Sequence, residues 1–245
     1  MSGGELARRE QVSDLVARLS DDGLDRRERG RLLFRLGGAL ASGARLAGAR
    51  AAVSGRWLAD AVTDVAPHVP VRDLLTLRQH HGGLSGDELA DALITAAART
   101  TAAIGAAGGA LASAEMAAPP ALLATPVQLA AETLAVVAVE LKLVAELHVV
   151  YGRAPVGTRG QVATAYLVSW ITKRGIDLSA GPPSLASVLG TAARAQLRSR
   201  VLRRLGRNVS TLAPFLAGAV AGAELNRRET RSLGEKLSRD LGRSH

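Results

Sequence analysis

The stretch VAVELKLVAELHVVYG, residues 137–152, carries ionisable side chains within an otherwise apolar helical pattern. These side chains are Glu140, Lys142, Glu146 and His148. At about 100° per residue they spread around a helix instead of lining one polar arc. Because Leu and Val fill the gaps between them, we expect at least one carboxylate to be buried. A buried carboxylate needs a partner or a proton.

The predicted polar cluster consists of Arg99, Glu132, Glu140, Lys142, Glu146 and Tyr151. Arg99 is the expected partner of a buried carboxylate, because it is the lone charge in a long apolar helix. Lys142 and Glu146 are four residues apart and can pair. Tyr151 should pack its ring in the core and turn its hydroxyl toward a polar group.

Four interpretations of this cluster remain open at the level of sequence. Internal pairs could fix the register of the helix, because every other register would leave a buried charge without a partner. A catalytic or small-ligand site could instead form around Glu140, Glu146 and Tyr151. The helix could also meet a membrane, or its charges could belong to a solvated face.

Motifs of established chemistry are absent from the chain. No Walker A pattern, H-E-x-x-H, G-x-S-x-G or Rossmann glycine fingerprint occurs. The absence of cysteine excludes disulfides, thiolate catalysis and Cys-based metal sites. His80 and His81 adjoin a glycine turn without enough neighbouring ligands for a metal. We therefore predict neither metal nor cofactor, and the sequence favours a protein that is not an enzyme.

Composition and periodicity predict an all-α fold, a single multi-helix bundle. The chain has 245 residues, of which 47% are hydrophobic and 2% aromatic, so small aliphatic side chains must fill its core. Helices are predicted over 5–20, 24–52, 54–65, from 85 onward, 127–151, 159–174, 184–207 and 212–241. Two GxxxG pairs, Gly105/Gly109 and Gly218/Gly222, are predicted helix crossings. The expected division is into N-terminal amphipathic basic helices, 1–57, and a helical domain, 58–245.

Positive charge is concentrated in two blocks around a mildly acidic middle. Residues 24–57 carry a net charge of +6 and residues 194–245 a net charge of +8, within a chain of net charge +9. Such blocks attract the phosphates of anionic lipids or nucleic acids. The predicted membrane-facing basic residues are Arg31, Arg35, Arg203, Arg204 and Arg207. The scarcity of aromatic residues and the lack of a DNA-binding module make nucleic acid the less favoured partner.

Two uncharged segments, 101–114 and 209–223, bear on membrane insertion. Each is shorter than the roughly 20 residues that a spanning helix needs. The charged first twenty residues do not read as a signal peptide. We expect a cytoplasmic protein associated peripherally with a membrane. Insertion of 101–131 as a re-entrant hairpin is the alternative.

Four segments resemble the EcsC family of bacterial proteins. They are VPVRDLL at 69–75, ALITAAARTTAAIGAA at 92–107, VELKLVAELHVVYG at 139–152 and AGAVAGAELNRRETRSLG at 217–234. Within the last segment, Asn226, Thr230 and Gly234 fit the family pattern. The lead-in PVQLAAET departs from the family pattern, which often has an Asp there: either Glu132 stands in for it or the feature is lost. The resemblance implies a helical, membrane-associated bacterial protein and no particular reaction.

The leading functional hypothesis joins the charge layout to this resemblance. It is a non-enzymatic helical protein at the cytoplasmic face of the membrane, which binds anionic lipid or a membrane-protein partner through its basic flanks. The competing hypothesis is a small-ligand-binding protein or enzyme with the internal polar site described above.

Overall fold

The computed structural model describes residues 3–21, 23–47, 56–116, 125–174 and 214–242. Its helices are α1 Gly3–Leu19, α2 Arg26–Ala47, α3 Arg56–Val65, α4 Leu74–His80, α5 Gly86–Met116, α6 Thr125–Val150, α7 Arg159–Lys173 and α8 Pro214–Gly242. One 3₁₀ turn, Ala66–His68, follows α3. These ranges contain no strand, which confirms the predicted all-α class. The helix predicted over 184–207 lies outside the described residues.

Helix α6 runs through the centre of the bundle, as its apolar composition predicted. Every residue from 131 to 147 is buried except the half-buried Lys142. Helices α2, α5, α7 and α8 all pack against it. A helix that is apolar on every side must be enclosed in this way, because no face of it would be stable in water.

The two N-terminal helices share this core. Leu32, Leu33 and Leu36 of α2 belong to the same buried cluster as the apolar side chains of α6. The turn between α1 and α2 is held by Arg29, which is 2% exposed. Its guanidinium donates to the carbonyl oxygens of Leu19 at 3.0 Å and Asp21 at 3.2 Å. The positive charge thus satisfies orphan carbonyls at the C-terminal end of α1. The boundary proposed near residue 57 stays a prediction.

Helices α5 and α8 cross at a pair of glycines. An ideal Cβ on Gly105 would lie 2.6 Å from the carbonyl oxygen of Gly222, and one on Gly222 would lie 3.0 Å from that of Gly105. This confirms both glycines as a close helix crossing. Asn226 adds a hydrogen bond between the two helices, because its Nδ2 donates to the carbonyl oxygen of Thr101 at 3.1 Å. The surroundings of Gly109 and Gly218, the other two predicted crossing residues, lie outside the described part of the chain.

The apolar segment that begins at residue 101 is buried on one side where it is described, and the alanines on its other side are partly exposed. Thr101 and Ile104 are fully buried, and α5 packs against α8 along this stretch. Among the described helices, none has both the length and the apolarity needed to cross a bilayer.

We expect Gly105→Ala to destabilise the protein by about 1–3 kcal/mol, because the added methyl group would overlap the Gly222 backbone. Urea denaturation followed by circular dichroism measures this free energy of unfolding. The matched control is Gly38→Ala in α2, where an added Cβ would meet nothing within 4 Å. The control should be neutral or slightly stabilising. Equal effects at both positions would show that the crossing is not tight.

Candidate functional site

Glu140 is the most completely enclosed carboxylate of α6, with 0% of its surface exposed. Trp170 Nε1 donates to its Oε2 at 2.8 Å, and Thr230 Oγ1 donates to its Oε1 at 2.8 Å. Arg174 grips both carboxylate oxygens, with its Nε 3.2 Å from Oε2 and its Nη2 hydrogen-bonded to Oε1. Four donors therefore replace the water that the carboxylate loses on burial.

The predicted pairing of Arg99 with a buried carboxylate is wrong. Arg99 lies on the exposed side of α5, whereas Arg174, the C-cap residue of α7, fills that role. Burial opposes the charge of Arg174, but the adjacent Glu140 outweighs it, so the pKa of Arg174 is raised. Helices α6 and α7 form an antiparallel hairpin, because the contacts Glu140–Trp170 and His148–Tyr166 run in opposite chain directions. Because the chain reverses direction between α6 and α7, Arg174 lies beside Glu140.

Glu146 has a second, separate set of partners. Arg72 binds it in bidentate fashion, with Nε 2.8 Å from Oε1 and Nη2 2.9 Å from Oε2. Lys142 Nζ lies 2.6 Å from Oε1, which confirms the predicted Lys142–Glu146 pair. Arg72 belongs to the segment between the 3₁₀ turn and α4, and sequence periodicity gave no signal for it. The pair fastens that segment to the central helix.

Tyr151 behaves as predicted. Its ring packs against the core, and its hydroxyl donates to Asp87 Oδ1 at 2.7 Å while Ser238 Oγ lies 2.6 Å away. Burial, with the Asp87 carboxylate adding to it, raises the pKa of Tyr151 above its ordinary value. The hydroxyl borders an open groove of about 880 Å³ that Asp91 and Arg239 also line. Tyr151 thereby joins the end of α6 to the start of α5 and the end of α8.

Glu132 is the third carboxylate of the predicted cluster, and it contacts α5. It is buried, and its carboxylate lies against Gly108 of α5, where a Cβ would overlap it. Glu132, Glu140 and Glu146 thus contact different parts of the structure, namely α5, the helices α7 and α8, and the segment that precedes α4. Within the described ranges, no group of three or more His, Asp or Glu side chains could hold a metal ion.

His148 lies near the end of α6, half-buried beside α7. Its Nδ1 donates to the Val144 carbonyl oxygen at 2.7 Å, and its ring meets Tyr166 edge-on with centroids 5.4 Å apart. Burial lowers the pKa of His148, against the opposing effect of the Val144 hydrogen bond, and the charge of Lys173 adds to the lowering. The surroundings of His148 therefore favour its neutral form.

The predicted basic residues of α2 form an exposed stripe. We call it the arginine face, and its residues are Arg27, Arg31, Phe34, Arg35 and Gly38. Arg31 and Arg35 are exposed, and neither forms an ion pair with any residue that the structure describes. That they face a membrane stays a prediction. Phe34, which sequence reasoning did not single out, is 66% exposed between them. The stripe opposes the leucines that dock α2 on the core.

The C-terminal basic block is different where it is described. Arg227 and Arg228 both donate to Glu224, and these hydrogen bonds lower the pKa of Glu224 to about 2. Helix α8 carries five basic and four acidic side chains, so its net charge is small. The predicted membrane-facing residues Arg203, Arg204 and Arg207 lie outside the described residues.

Comparison of the chain with protein-family models, with curated proteins and with solved structures finds no match. The resemblance to the EcsC family therefore stays a prediction.

We expect Glu140→Leu to destabilise the protein by on the order of 3–5 kcal/mol, because it leaves the Arg174 guanidinium buried without its carboxylate. Combining it with Arg174→Met should recover much of that loss, since no unpaired charge remains. Urea denaturation of both single variants and the double variant measures the coupling. Glu224→Leu, which breaks an exposed pair, is the control and should change stability little. Strictly additive effects at Glu140 and Arg174 would contradict the pairing.

The neutral state of His148 gives stability a pH dependence. The pKa of a histidine is 6.5 in the unfolded chain, and here the folded protein lowers it. Such a histidine stabilises the fold fully at pH values above 6.5, and this contribution is lost as the pH falls below 6.5. We expect His148→Gln to flatten the decline in unfolding free energy between about pH 7.5 and 5.5. His80→Gln, at an exposed position on α4, should leave the slope unchanged. A parallel decline in all three proteins would place the pH dependence elsewhere.

Proposed function

We propose that this chain is a non-enzymatic helical protein that binds the anionic cytoplasmic surface of a bacterial membrane through its basic flanks. One observation carries the proposal, namely the arginine face of α2. Arg31 and Arg35 are exposed and form no ion pair with any residue that the structure describes. Asp25 lies close enough to Arg31 for their charges to attract each other. Arg35 shares a shallow groove with Glu10 and Asp14 of α1. Cations held on one rigid stripe are suited to a surface of lipid phosphates.

The magnitude of this attraction suits reversible association. Each arginine near an anionic membrane surface contributes about 1 kcal/mol. Arg27, Arg31 and Arg35 would together contribute roughly three times that amount at low salt. Such binding is weak alone and is strengthened when a second basic segment of the same chain engages. The positive charge of residues 194–213 would supply this second contact.

A membrane protein with an acidic surface is the other partner that the basic flanks could recognise. An internal ligand site has less support. The three buried carboxylates of α6 face separate neighbours, and Glu140 and Glu146 are already bound by arginines. The Tyr151 hydroxyl is bound as well, and the groove beside it is open to solvent.

Vesicle flotation tests the proposal with the full chain. We expect the protein to float with phosphatidylglycerol-containing vesicles and not with pure phosphatidylcholine, and to be released by salt. Arg31→Gln combined with Arg35→Gln should weaken binding about tenfold or more, since two phosphate contacts are lost. The matched control is Arg78→Gln with Arg99→Gln, which removes the same charge from exposed positions outside the basic blocks.

Two results would count against the proposal. Equal flotation with neutral and anionic vesicles at low salt would remove the electrostatic basis of binding. Equal losses in the two double variants would show that net charge, and not the arginine face, governs association. Salt-dependent retention of DNA or RNA without vesicle binding would indicate a nucleic-acid partner instead.

A further inference from the structure

Phe34 is the most exposed of the aromatic residues whose surroundings the structure describes. The sequence has only six Phe, Trp and Tyr residues in total. Tyr166 and Trp170 are buried, and Tyr151 is half-buried with its ring on the core, whereas Phe34 is 66% exposed. A core built largely from Ala, Val and Leu would gain from any large ring turned inward. The exposed ring is therefore unexplained by the packing of the bundle.

The surroundings of Phe34 show what it could contact. Arg31 precedes it by three residues and Arg35 follows it directly, so cations flank the ring on the exposed side of α2. One turn further on, Gly38 is exposed, and even an added Cβ there would meet nothing within 4 Å. The ring is thus the most prominent apolar point on a positively charged stripe. The absence of a side chain at Gly38 lets a flat surface approach it closely.

We propose that Phe34 enters the boundary between lipid headgroups and acyl chains while Arg27, Arg31 and Arg35 contact the lipid phosphates. This inference rests on the proposed function and names lipid, not a membrane protein, as what the arginine face contacts. Aromatic rings beside basic residues are typical of helices that lie at membrane interfaces. Here the leucines of α2 are committed to the core, so one ring provides the apolar contact.

The contribution of one ring is large enough to measure. Transferring a Phe side chain out of water is worth on the order of tenfold to a hundredfold in affinity. Phe34→Ser should therefore weaken binding to equimolar phosphatidylglycerol–phosphatidylcholine vesicles by a factor in that range. Phe34→Trp, which keeps a large ring suited to the interface, should retain binding. Because Phe34 is exposed, both variants should unfold at the wild-type temperature.

The location of the side chain is measured separately. The chain lacks cysteine, so Phe34→Cys accepts a single environment-sensitive NBD label without further changes. With anionic vesicles we expect a blue shift at position 34 and quenching by nitroxides attached near the lipid headgroups. The matched control is Ala165→Cys, at an exposed position on α7, and its label should keep its aqueous spectrum.

The outcomes separate this inference from the proposed function. If the wild-type protein does not bind anionic vesicles at all, the proposed function and the inference both fail. If it binds with salt dependence while Phe34→Ser binds equally well and the label stays aqueous, the proposed function stands and the inference is overturned. Phe34-dependent retention of single-stranded DNA without vesicle binding would overturn the inference in favour of base stacking.

Discussion

The buried carboxylate of Glu140 is the constraint on which the arrangement of the C-terminal helices depends. It stands on the central helix, and its donors come from α7 and α8: Trp170, Arg174 and Thr230. An ionised carboxylate left without them in the interior would cost several kcal/mol. Ala, Val and Leu discriminate poorly between alternative packings. Rotating or sliding any of the three helices would separate the carboxylate from a donor, so this polar network supplies the register that the core lacks.

The network is possible only because α8 comes close to its neighbours along one stripe. Gly222, Asn226, Thr230 and Gly234 follow one another at intervals of four residues. The first meets Gly105, the second Thr101, the third Glu140 and the fourth Ile94. Thr230 has a short side chain, so its hydroxyl reaches Glu140 only if α8 packs tightly against the bundle. The stripe includes the three C-terminal residues that carried the family resemblance, and each makes a buried contact.

Sequence reasoning identified the helical class, the enclosure of α6, the Lys142–Glu146 pair and the orientation of Tyr151 because these follow from local spacing. It chose Arg99 over Arg174 because helical periodicity says which side of a helix faces inward, not which residue of another helix lies opposite. That information comes from the α6–α7 hairpin. Reflecting α6 about the middle of the connection 151–158 would have brought Trp170, and Arg174 one turn beyond it, toward Glu140. Arg72 reaches Glu146 across 74 residues, beyond any local pattern.

Local sequence spacing also does not show which charged side chains are used within the fold and which stay exposed. Sequence alone predicts a basic block over 24–57, yet within it Arg29 is buried and caps α1, while Glu28 pairs with Arg18 of α1. Among the described side chains of α2, the exposed basic ones are those of the arginine face. Capping by Arg29 and docking by Leu32, Leu33 and Leu36 hold that face outward on a fixed helix. The buried charges of α6 are bound by partners within the bundle, whereas Arg31 and Arg35 are exposed without an ion pair to any described residue, and for this reason the proposed membrane contact is assigned to them.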